Sequence, residues 1–175
     1  AVNSVGVLLQ FWAAWRTLMA MNKVRPQAIV KTTPWMRVCI GMMLLAMGVK
    51  VTIQATVAIP AMADMAMTIR NYVIGFIHLN TLAAFTSLLF AHALFRGWFD
   101  ERMPSVRVGL ITFFVGVLLS EVLLFLQGTL FWAGVGLMPG YYIMLFIASA
   151  MLPLGATTLL VSALGARTVK DRPAA

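Results

Sequence analysis

Four ionisable side chains lie well inside the apolar stretches of this chain: Lys50, His78, His92 and Glu121. Amine, imidazole and carboxyl are the groups that carry protons, pair as ions or ligate metals. Gln54, Asn80 and Ser120 stand close to them in the sequence. In a low dielectric such groups are costly, and they face a bundle interior or a water-filled cavity. Lys50 and Glu121 could form a buried ion pair that only fixes helix register. With His78 they could instead relay protons or gate an ion. Lys50 could also carry its ammonium outward along its own stem, with no partner. His78 could be a neutral imidazole bonded to a neighbouring helix, and His92 an interfacial side chain. The two histidines are fourteen residues apart. On a continuous α-helix that spacing puts them on one face, about 21 Å apart in height. It suits two haems stacked across a membrane. With two histidines in all, such a site needs a homodimer, a further part of the chain, or a methionine ligand.

Other chemistries lack their signatures. There is no phosphate-binding glycine loop, no zinc-ligand spacing and no nucleophile elbow. The single Cys39 excludes an intrachain disulfide and an all-cysteine metal site. The net charge of +8 does not signify nucleic acid. The basic residues fall in short segments between apolar runs and form no arm or patch.

The elements that must hold these residues are membrane-spanning helices. The 175 residues are 62% hydrophobic and 10% charged, against about 45–50% and 25% in soluble domains. Five apolar runs cover residues 4–21, 35–59, 71–95, 108–127 and 141–166. Each is long enough to cross a hydrocarbon core of roughly 30 Å. The expectation is an all-α bundle of about five transmembrane helices forming a single domain over residues 1–175, with no soluble domain. Pro60 is expected to close the second run and Gly128 the fourth. Gly41 with Gly48, and Gly109 with Gly116, mark helix faces suited to close packing. The chain begins at Ala1 inside an apolar stretch and reads as the C-terminal part of something longer.

Ten of the thirteen basic residues cluster in three places: Lys23 to Arg37, Arg96 to Arg107, and Arg167 to Arg172. The positive-inside rule puts those segments in the cytoplasm, with the N-terminus outside and the C-terminus cytoplasmic. Trp35, Trp98, Trp132 and Tyr141 fall near run edges, as interfacial aromatics do. In this arrangement Lys50 lies roughly 14 Å, His78 about 10 Å and Glu121 about 9 Å below the outer ends of their helices. The three therefore share a layer, with Gln54 a turn away from Lys50.

Two stretches carry a resemblance. One runs from Gly48-Val49-Lys50 to Ile59-Pro60 and on through Arg70-Asn71-Tyr72-Val73-Ile74-Gly75-Phe76-Ile77-His78-Leu79. The other is Leu118-Leu119-Ser120-Glu121-Val122-Leu123-Leu124-Phe125-Leu126-Gln127-Gly128. Together they resemble the C-terminal half of a family of bacterial polytopic membrane proteins of uncharacterised activity. That family is itself similar to subunit I of haem-copper oxidases and nitric oxide reductases. The resemblance covers most of residues 50–160. It implies that the middle of five helices descends and carries a haem-ligating histidine in its outer half, which here is His78. It departs from the oxidases where a second histidine is replaced in His78-Leu79-Asn80, and Lys50 does not match the proton-pathway lysine of those enzymes. Complete oxidase activity is not implied.

Three functions follow as expectations. The first is a redox-related protein of the bacterial inner membrane, concerned with electron transfer or proton translocation. It would bind haem through His78, with the layer of Lys50 and Glu121 supporting haem propionates or proton movement. The second is a transporter or proton- and ion-translocating module using Lys50, His78 and Glu121. The third is a non-catalytic scaffold subunit. The partners expected are the lipid bilayer and either other membrane subunits, an upstream half of the same chain or a second copy. Nucleic acid is not among them.

Overall fold

A computed structural model of the protein describes residues 5–6, 8–13, 15–17, 19–20 and 32–170, the last five as backbone. Those between 5 and 20 are helical. The run expected over 4–21 lies partly outside the described residues, as do Lys23, Arg25, Lys31 and Arg172. The remaining elements are helices α1 (Pro34–Thr56), α2 (Pro60–Thr68), α3 (Arg70–Phe95), α4 (Pro104–Trp132) and α5 (Tyr141–Lys170). No strand occurs among the described residues. Four helices are long and apolar enough to cross a membrane: α1, α3, α4 and α5 through Gly165. The chain is thus an all-helical, multi-pass type of molecule.

Helix starts follow from proline. Pro34, Pro60 and Pro104 each stand in the first turn of their helix, where the missing N–H is not needed and φ is already helical. Thr33 caps α1, its hydroxyl accepting from the Met36 N–H at 3.3 Å. Two ends follow from glycine. Gly97 and Gly134 adopt φ of 69° and 72°. Behind α3, Trp98 N donates to Ala93 O and Gly97 N to Leu94 O. Behind α4, Val135 N donates to Leu130 O and Gly134 N to Phe131 O. These are Schellman closures, which need a left-handed residue at that position.

Three sequence expectations are corrected. α1 ends at Thr56, and Pro60 begins the short α2 instead of closing a span. Gly128 does not end α4, which continues to Trp132; its missing Cβ lets the Tyr72 ring approach, since a Cβ there would lie 2.9 Å from that ring. α3 is not one continuous α-helix either. Leu79–Phe85 is π-helical, between α-helical Arg70–His78 and Thr86–Phe95. The Thr86 N–H and hydroxyl both reach the Thr81 carbonyl, five residues back. An extra residue in a turn offsets all later side chains by about 100°.

Packing runs mainly between neighbours in sequence. α1 lies against the second half of α3, the first half of α3 against α4, and α4 along α5. The α4–α5 seam is built on small residues. A Cβ at Gly155 would stand 2.7 Å from the Gly109 carbonyl oxygen and the Phe113 nitrogen, and one at Gly116 would meet Met151 and Leu152 at 2.8 Å. Backbones this close are the membrane mode of helix association. Gly41 and Gly48 instead meet open space, so they are not packing glycines among the described residues. Where α3 and α4 diverge, aromatics fill the gap: the Phe90 ring lies 5.0 Å from Phe113 and 6.2 Å from Phe114, edge to face.

Candidate functional site

α3 and α4 meet antiparallel, and two ring contacts fix their register. The Tyr72 ring lies against Gly128, and its hydroxyl is 3.1 Å from Thr129 Oγ1. One turn on, Gly75 faces Phe125 and Glu121: a Cβ there would be 3.1 Å from the Phe125 ring and 3.5 Å from Glu121 Oε2. The bare Gly75 backbone therefore makes room for the carboxyl. A further turn brings His78 to about the height of Ser120 and Glu121.

Four polar residues are buried among the described residues: Ser87, Ser120, Glu121 and Gln127. Three are satisfied. The Ser87 hydroxyl donates to Ala83 O, and that of Ser120 to Val117 O at 2.9 Å. Gln127 Nε2 donates to Gly136 O at 3.0 Å, while its Oε1 accepts from Met138 N at 2.9 Å. Glu121 differs: both carboxyl oxygens are buried and neither accepts a hydrogen bond. His78 is half-buried, with Nδ1 enclosed and unpartnered.

Lys50 and Glu121 are not brought together, and the carboxyl accepts nothing from the ammonium. Lys50 lines a cavity of about 830 Å³ between helical residues 10–13 and 15–17, α1 and the stretch 80–88 of α3; Gln10 and Asn80 are in the same wall. Gln54, a turn along α1, lines a different cavity of about 450 Å³ with Met62, Tyr72, Phe76 and Phe125. Its Oε1 is buried without a partner. The expected layer therefore divides: His78 and Glu121 stand at one height where α3 meets α4, Gln54 lines a cavity with Tyr72, Phe76 and Phe125, and Lys50 lines a separate one.

His78 lines neither cavity. No group of three or more His, Cys, Asp or Glu side chains gathers among the described residues. For a haem, the buried nitrogen donor among the described residues would be His78 Nδ1. The face shared by His78 and His92 is interrupted by the π-helical turns. His92 is exposed, with its ring edge-on to Trp98 at 6.1 Å.

Sequence reasoning missed three features. Gln127 reads as the end of an apolar run, and only the returning loop reveals its partners. Gln10 stands out in the sequence as a polar residue in an apolar run, but its place in a cavity wall with Lys50 does not. The π-helical turns leave no signal in hydropathy. No protein-family model, curated protein or solved structure matches this chain.

Proposed function

We propose that this chain is a proton- or cation-translocating membrane module whose working group is the Glu121 carboxyl, with the His78 imidazole at its level as relay partner. One observation carries the reading: Glu121 is the buried polar residue that the described fold leaves without a hydrogen bond. A carboxyl at membrane depth is costly to retain, and such groups mark ion and proton pathways. Gln54 has an unpartnered oxygen and lines a cavity walled by Phe125, the ring that faces Gly75 together with Glu121; it would offer a cation or hydronium a second oxygen along the route. In liposomes carrying the purified protein, Glu121→Gln is expected to abolish pH-dependent flux while the protein stays folded. Unchanged flux would overturn the reading.

The topology belongs to the same proposal: five spans counting residues 4–21, N-terminus outside, C-terminus cytoplasmic, in a bacterial inner membrane. Its support is the basic clusters at Lys23–Arg37, Arg96–Arg107 and Arg167–Arg172. Fusion of reporters to each loop tests it.

A redox reading keeps a specific observation, the enclosed and unpartnered Nδ1 of His78. In that reading the chain is one part of a larger oxidase-like assembly. His78 supplies an axial ligand, and helices outside the described residues supply the remaining walls. The haem would provide one-electron chemistry; this chain's part is to hold and orient the imidazole. A reduced-minus-oxidised spectrum of the protein beside His78→Ala decides it. A signal lost or shifted in the variant supports haem, and no signal with both proteins folded rejects it.

A further inference from the structure

The cavity beside Lys50 is built separately from the Glu121 site, and its chemistry is asymmetric. Most of its wall is apolar, from Phe11, Trp15, Met43, Met47, Phe85 and Leu88 among others. Its hydroxyl groups are already committed to their own helices: Thr17 Oγ1 donates to Ala13 O and Thr52 Oγ1 to Gly48 O, each at 2.9 Å. Asn80 Nδ2 donates to Phe76 O at 2.6 Å. What remains is the Lys50 ammonium, with the Gln10 amide, whose Oε1 is buried without a partner. No acidic side chain among the described residues lines this cavity. Glu121, the acid at comparable depth, accepts no hydrogen bond from Lys50.

An ammonium at membrane depth is stabilised by a counter-charge, and an apolar wall of this extent suits an apolar occupant. An acyl chain ending in an anionic head meets both. The volume of about 830 Å³ is that of a site for one small molecule, so one chain is indicated and not a two-chain lipid. We propose that this cavity binds a long-chain fatty acid, with its carboxylate on Lys50 and its chain along the wall shared by α1 and the π-helical turns of α3.

The test is equilibrium binding of labelled palmitate to the purified protein in detergent. Saturable binding that palmitate competes and methyl palmitate does not is expected; equal competition by the ester overturns the role of the charge. Lys50→Gln should weaken binding about 10- to 100-fold, the effect of losing a charged hydrogen bond, whereas Lys50→Arg should keep most of it. Unchanged binding in Lys50→Gln overturns the proposal. Glu121→Gln should bind as the parent does, so a failure here is distinguishable from a failure of the translocation reading. If phosphatidylglycerol displaces palmitate as well as palmitate itself does, the anionic head comes from bilayer lipid and the fatty-acid assignment falls. A photoreactive palmitate gives an arm that does not depend on any variant folding. Crosslinks within residues 43–52 or 80–88 support the site, and crosslinks confined to α4 or α5 overturn it.

Discussion

Glu121 and Gln127 both project from α4 into protein, yet they are opposite in character. Gln127 is fully buried and bonded at both ends of its amide, to Gly136 O and Met138 N. It ties the turn before α5 to α4. Gln127→Ala would leave two loop groups unpaired, at a cost of roughly 1–3 kcal/mol; thermal unfolding in detergent should show the loss. Glu121 has no such duty, so Glu121→Gln is expected to change thermal stability little or to raise it, while removing flux. Gly75 links the two effects to space. Gly75→Val must push into the Phe125 ring and toward Glu121, an overpacking cost of about 1–3 kcal/mol, and flux should fall with it. At this scale the sequence was a partial guide. It marked Glu121, His78 and Lys50 because ionisable groups stand out in apolar runs. It could not separate Lys50 from Glu121, because depth along a helix fixes height and leaves direction around the axis open. The direction is set by Gly75, Phe125 and the Lys50 cavity, none of which hydropathy encodes.

Helix boundaries were legible where a residue dictates backbone and obscure where tertiary contact overrides it. The run expected over 71–95 is α3, Arg70–Phe95, and Gly97 closes it. The run expected over 108–127 is α4, Pro104–Trp132. The apolar run begins after Arg107, yet Arg107 belongs to the helix and donates from Nε to Glu101 O at 2.7 Å. Its end was read from Gly128, whose purpose is the Tyr72 ring. Glycines therefore divide by what surrounds them, and their substitutions should divide likewise. Gly155→Ala places a methyl against the Gly109 and Phe113 backbone, which has no side-chain end to yield, and should destabilise by about 1–3 kcal/mol. Gly41→Ala enters open space and should be neutral or stabilising by up to about 1 kcal/mol. Comparing their unfolding temperatures checks both, and reversed signs would refute the seam.

Across the whole molecule, apolar character is not confined to the interior. Leu45, Val122, Phe146, Ile147 and Val161 are exposed large hydrophobics on α1, α4 and α5. A soluble protein would bury them; a chain whose solvent is lipid need not, and further membrane helices could cover them equally well. The all-helical, multi-pass character was legible from composition because no other backbone satisfies its hydrogen bonds in hydrocarbon. Which helices touch was not, since every face of such a helix is apolar and periodicity fades. The α4–α5 hairpin, residues 104–165, has its own seam and its own Gln127 tie. Made alone in detergent, it should be helical with a cooperative thermal transition that Gly155→Leu removes; a non-cooperative melt in the parent hairpin would refute its independence.

The neighbour-to-neighbour packing bears on how the molecule is made. α1 finds its main contact, the second half of α3, as soon as α3 has been synthesised; the first half of α3 waits only for α4, and α4 only for α5. Loop closure at each step is short, so the entropic barrier stays low. For the helices α1 to α5, the order in which they leave the ribosome is then the order in which they dock, and none of these has to wait unpartnered for the last of them.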